Sequence, residues 1–500
     1  MNIGQHILNS IEKNHAHNAF CIDDVYYSYE DFSKYISNIQ IAIQTNIKDN
    51  EFNIGLITNN DLETYASIIA LWLEGKAYIP LNPDTPKTRN LNVIEQSEIL
   101  TIIDSSSNSE YNEFNIIYSK SDFKRKHTPY VSSKFNTTNL AYIFFTSGTT
   151  GNPKGVQITH DNLESFIDAF WELNYTISNT DRCLQMFDLT FDLSVVSYLA
   201  PLLKGACIYT VSNTGIKYLE VLKLISNYEL TFTLMVPSIL HSLRPFFRKI
   251  NCASLKFSMF CGEALHLDIT EEWSKCIPNA TIANVYGPTE CTIYCTNYIY
   301  NRNGGNKSYN GILSVGKDMT HTKTIIIDKE NKPLNNNEEG ELCLSGSQLT
   351  SGYWKNDSIN KKSFFYLNLN GVNTRFYKTG DLCRKDDDTD LLYIGRIDFQ
   401  AKVQGYRIEL SEIEFYSKKI ISTVNLVAVI ITNKLRNTEV ALAIESTSFD
   451  TDDFVTKLKS HLPIYMVPSK ILFYNTLPLN VNGKIDRKRI TKDIEEKYGS

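Results

Sequence analysis

The chain has 500 residues, of which 42% are hydrophobic and 21% charged, and a formal net charge of −6. That length exceeds one ordinary domain and predicts two or three units, each with a sizeable core. The acidic balance offers no attractive field for nucleic acid, and no apolar run reaches the roughly 18 residues that a membrane span needs.

The N-terminus, Met1-Asn2-Ile3-Gly4-Gln5-His6, lacks a basic stretch followed by an apolar core, so no secretory leader is expected. Ten cysteines are scattered, mostly in apolar runs, with no CxxC pair. Cys291 and Cys295 lack His or Cys partners at zinc spacing. A reduced, cytoplasmic protein without structural zinc is the expectation.

Residues 140–145 form an apolar run that predicts a buried strand. A loop rich in small residues follows: Thr146-Ser147-Gly148-Thr149-Thr150-Gly151-Asn152-Pro153-Lys154-Gly155. Glycines let backbone N–H groups turn toward an anion, Thr and Ser hydroxyls add donors, and Lys154 adds charge. A plain surface turn is the competing reading, but the residue order favours phosphate. The order is not that of a Walker loop: Pro153 stands where its second glycine belongs, and a strand-like run, Val156-Gln157-Ile158, follows instead of a helix. The prediction is a strand–loop–strand phosphate hairpin.

Further along, Tyr218, Val221, Leu222 and Ile225 share one helical face. A run over 231–236 is stopped by Pro237. Strands are expected over 257–260 and 281–284, with a helix over 269–275 between them. Such alternation predicts layered α/β structure with largely parallel sheets. From about 310 to 397 the pattern turns to short β-like runs spaced by Asn, Gly and Pro. Beyond Asp398 an amphipathic segment over 408–420, strands over 426–432 and 438–444, and a helix marked by Phe454, Leu458 and Leu462 predict a small α+β domain. The expected division is a large N-terminal unit over 1–397, including the β-rich part, and a C-terminal unit over 398–500.

Five further stretches carry chemistry. Asn284-Val285-Tyr286-Gly287-Pro288-Thr289-Glu290 ends a predicted strand, where open α/β sheets bind ligands. Its Tyr can stack on a purine, and Glu290 can hold a metal on phosphate; a structural turn is the alternative. In Tyr377-Lys378-Thr379-Gly380-Asp381 a carboxylate after a Gly turn suits ribose hydroxyls, or else makes an Asx turn. Residues 393–409, Tyr393-Ile394-Gly395-Arg396-Ile397-Asp398-Phe399-Gln400-Ala401-Lys402-Val403-Gln404-Gly405-Tyr406-Arg407-Ile408-Glu409, are dense in charge; a solvated linker would be too. Asn482-Gly483-Lys484-Ile485-Asp486-Arg487 places a lysine in a predicted turn. Within Phe191-Asp192-Leu193-Ser194, an Asp in an apolar stretch is costly to bury unless paired, with a helix cap as the alternative.

Strung in this order, these motifs resemble the adenylate-forming superfamily, which includes acyl-CoA synthetases, luciferases, amino-acid adenylation domains and D-alanine:carrier-protein ligases. The likeness covers nearly the whole chain. It implies ATP and Mg²⁺ as cofactors and a small C-terminal domain that turns about Asp398. It assigns Thr146, Ser147, Gly148, Thr149, Thr150, Gly151 and Lys154 to phosphates, and the 284–289 segment to adenine. Asp381, Tyr393 and Arg396 go to the nucleotide, Glu290 to the metal and Lys484 to catalysis.

Family members that activate amino acids carry an Asp where Asp192 stands, to pair with the substrate ammonium. By the same carry-over Leu193, Val196, Met259, Cys261, Val285 and Ile293 line the side-chain pocket, with Met235 less securely aligned; bulky uncharged walls imply a small apolar amino acid. Phe260-Cys261-Gly262-Glu263 looks most like D-alanine:carrier-protein ligases, although Val196 and Ser197 depart from that pattern. No Gly-Gly-(His/Asp)-Ser-Leu carrier motif occurs, so the implied partner is a separate phosphopantetheinylated carrier protein. The alternatives are a stand-alone adenylation enzyme for another small amino acid, an acyl- or aryl-CoA ligase, and a nucleotide-binding regulator without turnover.

Overall fold

A computed structural model describes residues 2–120, 128–148, 152–212, 215–422, 424–480 and 484–498. Thr149, Thr150 and Gly151 of the glycine-rich loop, and Asn482 and Gly483 before Lys484, lie outside the described residues.

Apolar strands that are buried on both faces pair in parallel under helices, and two large sheets arise this way among the described residues. One has nine strands in the order Lys317–Asp318, Thr296–Ile299, Thr281–Tyr286, Phe257–Phe260, Phe232–Met235, Arg182–Gln185, Cys207–Thr210, Asn18–Ile22 and Val25–Ser28. Its middle strands are parallel and in step, Met235 beside Phe260 and Phe260 beside Asn284. The other has six, in the order Asn115–Tyr118, Thr101–Asp104, Asn53–Ile57, Ala77–Leu81, Leu140–Thr146 and Lys154–Thr159.

The helix Leu62–Leu73 buries every residue except Glu63, which is why its sequence is apolar all round. Its Trp72 indole N–H donates to the Ala141 carbonyl at 2.9 Å. The Tyr78 and Tyr198 hydroxyls meet at 3.2 Å within the same core. Among the described residues no helix is long and apolar enough to cross a membrane.

The β-rich part is a five-stranded antiparallel sheet of Thr322–Ile327, Gly340–Gly346, Val372–Lys385 and Phe364–Leu369, with Leu391–Arg396 paired to Val372–Lys385. Beyond it the hairpin Gln400–Val403 and Tyr406–Glu409 leads into a three-stranded sheet of Leu426–Thr432, Thr438–Glu445 and Lys470–Tyr474. This C-terminal part has its own core, with Ile408, Ile413, Leu442, Phe454 and Leu458 on one side of the sheet and Val427, Ala441, Ile490 and Ile494 on the other.

Two expectations shift here. The amphipathic segment over 408–420 divides, because Ile408 pairs with Ala401 in the hairpin and the helix starts only at Leu410. Leu462 stays in the core but lies beyond the helix Thr451–Lys459; it precedes Pro463, which biases it away from helical geometry.

The elements that build the site are, in chain order, strands β1 (Leu140–Thr146) and β2 (Lys154–Thr159), helix α1 (Leu193–Lys204), strands β3 (Thr281–Tyr286), β4 (Val372–Lys385) and β5 (Leu391–Arg396), hairpin strands β6 (Gln400–Val403) and β7 (Tyr406–Glu409), and helix α2 (Leu410–Ile420). Leu442 is fully buried on the middle strand of the C-terminal sheet. Leu442→Ala is expected to cost about 2–5 kcal/mol, read as a lower urea midpoint of the full chain.

Candidate nucleotide and amino-acid site

β1 and β2 pair antiparallel with Thr146 opposite Lys154, and the glycine-rich loop leaves from their open end. A Cβ on Gly148 would stand 1.9 Å from the Asn152 carbonyl oxygen, so only glycine closes this turn. The Ser147 hydroxyl donates to the Arg407 carbonyl at 2.9 Å. Lys154 Nζ lies 3.3 Å from Glu409 Oε1 and 5.8 Å from the centroid of the Tyr353 ring.

The second wall comes from the end of β3. A Cβ on Gly287 would meet Tyr294 Cα at 2.3 Å, so the chain turns there without a side chain. The Pro288 carbonyl accepts the Cys291 N–H at 2.9 Å. The Asn284 amide donates to the carbonyls of Leu313 (3.2 Å) and Ser314 (2.9 Å). The Tyr286 hydroxyl donates to Asp381 Oδ2 at 2.5 Å, and Arg396 Nη1 donates to Asp381 Oδ1 at 2.8 Å. Asn284, Val285, Tyr286, Asp381, Tyr393 and Arg396 all face one cavity of about 360 Å³. Thr292 (φ 49°) and Ile293 (φ 74°) both sit in the left-handed region. Each such β-branched residue stores about 1–3 kcal/mol of strain, which only surrounding structure can hold.

Glu290 is buried, and Arg407 Nη1 reaches both of its oxygens at 2.9 and 3.1 Å. The Tyr353 hydroxyl donates to Oε1 at 2.5 Å. Burial alone would raise this carboxyl; the Arg407 charge and the Tyr353 bond outweigh it and hold the group down at about 2. A divalent cation on Glu290 therefore does not fit this arrangement, since a guanidinium stands there. Arg396 closes a fork on Asp398, Nε to Oδ1 at 2.8 Å and Nη2 to Oδ2 at 2.5 Å. Gly380, at φ 72°, passes so close beneath that a Cβ would lie 2.7 Å from both groups.

Asp192 precedes α1 but makes no capping bond, so the helix-cap alternative is not what the structure has. Its Oδ2 is buried without a hydrogen-bond partner. Burial lifts the carboxyl to about 7, against the pull of Thr289 and the charge of Lys402. Asp192 lines a second cavity of about 90 Å³ together with Thr146, Ser147 and Thr289. Leu193, Val196, Met259, Cys261, Val285 and Ile293 all belong to the main core and are at most 3% exposed. Burial pushes the Cys261 thiol up to about 12.

Lys484 is not with them. It is exposed, its N–H donates to Asn480 Oδ1 at 3.1 Å, and it lines neither cavity. In its place the β6–β7 hairpin enters. Gly405 N–H donates to Glu263 Oε1 at 2.8 Å, and Lys402 Nζ stands 5.9 Å from the Tyr286 ring centroid. Gln400, Lys402, Arg407 and Glu409 are site groups that sequence reasoning placed only within a charge-dense stretch. The available signal was that density itself, because so many charges of both signs can also pair with one another.

The AMP-binding enzyme family matches residues 8–354. The D-alanine--D-alanyl carrier protein ligase of Bacillus licheniformis is 30% identical over 453 residues, 86% of each chain. Gramicidin S synthase 1 of Brevibacillus brevis is 28% identical over 445 residues, 87% of this chain and 39% of that synthase. Tyrocidine synthase 3 of Brevibacillus parabrevis is 29% identical over 93% of this chain, which spans only 7% of that synthase's length. The same fold occurs in the Vibrio cholerae adenylation domain AlmE, solved in complex with glycyl-adenosine-5'-phosphate. It has a TM-score of 0.84 and 24% identity, and the likeness covers 99% of this chain and 98% of that one. With this family match over most of its length and a relative 30% identical over 86% of each chain, the chain belongs to the AMP-binding enzyme family of adenylate-forming ligases.

Proposed function

We propose that the chain joins a small amino acid to ATP as an aminoacyl adenylate and passes the acyl group to the phosphopantetheine thiol of a separate carrier protein in the cytoplasm. The observation that carries this reading is the unpartnered, buried Oδ2 of Asp192. A carboxylate oxygen kept dry and unpaired is costly, and a substrate ammonium removes the cost. An acyl- or aryl-CoA ligase would leave that oxygen unexplained.

The side-chain walls assigned to the substrate, Leu193, Val196, Met259, Cys261, Val285 and Ile293, are uncharged, several of them bulky, and at most 3% exposed, which supports a small apolar side chain. D-alanine is the substrate we assign, in line with the ligase relative. Another small apolar amino acid is the second reading, on the same walls.

In the first step a substrate carboxylate oxygen attacks the α-phosphorus of ATP, the bond from that phosphorus to the oxygen bridging to the β-phosphate breaks, and pyrophosphate leaves. Thr146, Ser147, Gly148, Thr149, Thr150, Gly151 and Lys154 receive the phosphates. Asn284 to Thr289 hold the base, with Asp381, Tyr393 and Arg396 around the ribose. Lys484 offsets the growing charge, and the C-terminal part turns about Asp398 to bring it in. In the second step the carrier thiol adds to the acyl carbon, AMP departs, and the thiol proton goes to solvent. The arrangement seen, with the β6–β7 hairpin inside and Lys484 outside, suits this second step. No step is routed through Mg²⁺, because Arg407 holds the Glu290 carboxylate here.

Pyrophosphate exchange across the amino acids tests the reading; a fatty or aromatic acid that outcompetes every amino acid would overturn it. Asp192→Asn should raise the amino-acid KM strongly, a loss of roughly 2–5 kcal/mol for an unpaired buried charge, while the KM for ATP moves little. Burial lifts Asp192 to about 7, so the ionised form that pairs with ammonium disappears as pH falls. The amino-acid KM should then climb about tenfold per pH unit below 6. The stability sign is opposite. A raised carboxyl favours the folded state at low pH and loses that contribution as pH rises through 7, so unliganded Asp192→Asn should melt higher than the parent at pH 8.

Lys484→Ala separates the two steps. Exchange should fall on the order of 100-fold or more, while transfer from preformed aminoacyl adenylate to the carrier thiol stays near the parent rate. Equal loss of both would remove Lys484 from its role.

A further inference from the structure

The β6–β7 hairpin stands between the two cavities. Arg407 lines both, Lys402 only the larger, and Tyr406 only the smaller, which is the one that Asp192 lines. Rings close one side of the smaller cavity. Tyr406, the first residue of β7, stacks face to face on Tyr465, with centroids 3.9 Å apart and planes at 3°, and both line the cavity. Tyr406 meets Phe191 at 5.9 Å, and Phe191 meets Phe187 at 6.1 Å. Four rings thus run in one row across the interface, two from the N-terminal part and two from the C-terminal part. The row is pinned beside Tyr465. Arg89, which also lines the cavity, donates to the fully buried Glu412 carboxylate of α2, and the Thr88 hydroxyl donates to the Ser460 carbonyl at 3.3 Å.

We infer that Tyr406 and Tyr465 are a lid that keeps water out of the Asp192 cavity while the acyl adenylate waits for the carrier thiol. The inference rests on the proposed function, which sets the substrate ammonium on Asp192 and so the acyl group one carbon away. An acyl adenylate is wasted whenever a water oxygen adds to its acyl carbon: the bond to the phosphate oxygen breaks, AMP leaves, the free amino acid is released and a proton passes to solvent. Closing a site against water suppresses this loss. Stacked rings suit the task, because each covers a large apolar area. Burial also lifts the Tyr465 hydroxyl to about 12, so it stays protonated and gives water no base. Both lid rings come from beyond Asp398, whereas Asp192 and Phe191 precede it. The cavity is therefore capped only in the arrangement that keeps Lys484 outside, and a turn about Asp398 uncaps it for the next amino acid.

The test uses the full chain. AMP release is followed with ATP and amino acid present and the carrier absent. It is divided by each variant's own rate of pyrophosphate exchange, so that a general loss of folding cancels. Tyr465→Ala should raise this ratio on the order of tenfold, the factor by which losing one stacked ring pair favours an open state. Tyr465→Phe, which keeps the ring, should leave the ratio near the parent value. A second measurement needs no substrate. All ten native cysteines are buried, and Val93 lines the cavity at 6% exposure, so Val93→Cys places a thiol of similar size behind the lid. Its reaction with methyl methanethiosulfonate, in which the sulfur takes the methylthio group and methanesulfinate leaves, is timed by mass spectrometry. Labelling should be slow in Val93→Cys and on the order of tenfold faster once Tyr465→Ala is added.

Equal labelling with and without the Tyr465 ring would overturn the lid, and so would a ratio that Tyr465→Ala leaves unchanged. Faster labelling without the ring, in a chain that shows no amino-acid-dependent exchange, would leave the lid standing and remove the substrate reading instead.

Discussion

The buried ion pair between Glu290 and Arg407 is the constraint around which the rest of the site is arranged. Glu290 follows a strand of the nine-stranded sheet, and Arg407 belongs to the C-terminal hairpin. A pair this dry holds only when its remaining donors and acceptors are also met. They are: Tyr353 closes on Glu290, Gln400 closes on Arg407, and Gln400 Oε1 also takes Arg396 Nη2 at 2.7 Å. Arg396 then reaches Asp381, and Asp381 reaches Tyr286. One continuous polar chain therefore joins the end of strand β3, the β-rich sheet and the C-terminal part. Any turn of the C-terminal part about Asp398 would break this chain where it crosses, at Arg407 with Glu290 and at Gln400 with Arg396.

Much of the frame could be read from residue order. Apolar runs bounded by Pro and Gly gave the parallel strands around Phe257–Phe260, and the alternation of short runs gave the β-rich sheet and the two C-terminal strands. The hairpin of β1 and β2 followed from Val156-Gln157-Ile158, where a helix would have been needed for a Walker loop. Side-chain partnerships were out of reach, because they depend on which distant segments meet. Nothing local in 393–409 distinguishes a solvated linker from a strand whose Arg407 and Glu409 cross to another part of the molecule. Lys484 is the converse case: its motif is legible, yet its position depends on how two parts of the chain are turned, which residue order does not encode. The left-handed pair Thr292 and Ile293 was also hidden, since β-branched residues argue against that conformation and only the packing around them enforces it.

The site also shows where stability is given up. Asp192 carries an unpartnered oxygen, and Thr292 with Ile293 stores backbone strain. Both lie within a few residues of the segments that form the two cavities. Strain of this kind persists where the surroundings over-determine the geometry. Here the main core does so, with Tyr294 seated under Gly287 and the Thr292 hydroxyl held by the Gln348 carbonyl at 2.5 Å. A site held in this way depends on the large core behind it.

The burial of all ten cysteines has a consequence for any mixed anhydride formed here. An acyl phosphate is consumed by whichever thiolate reaches it first, and thiolates outrun water. Cys261 is among the walls assigned to the proposed substrate, yet burial keeps its proton on up to about 12. At neutral pH it is a small apolar wall and a poor nucleophile. An acyl adenylate formed beside that sulfur would thus not acylate the protein, and would last until a thiol arrives from outside.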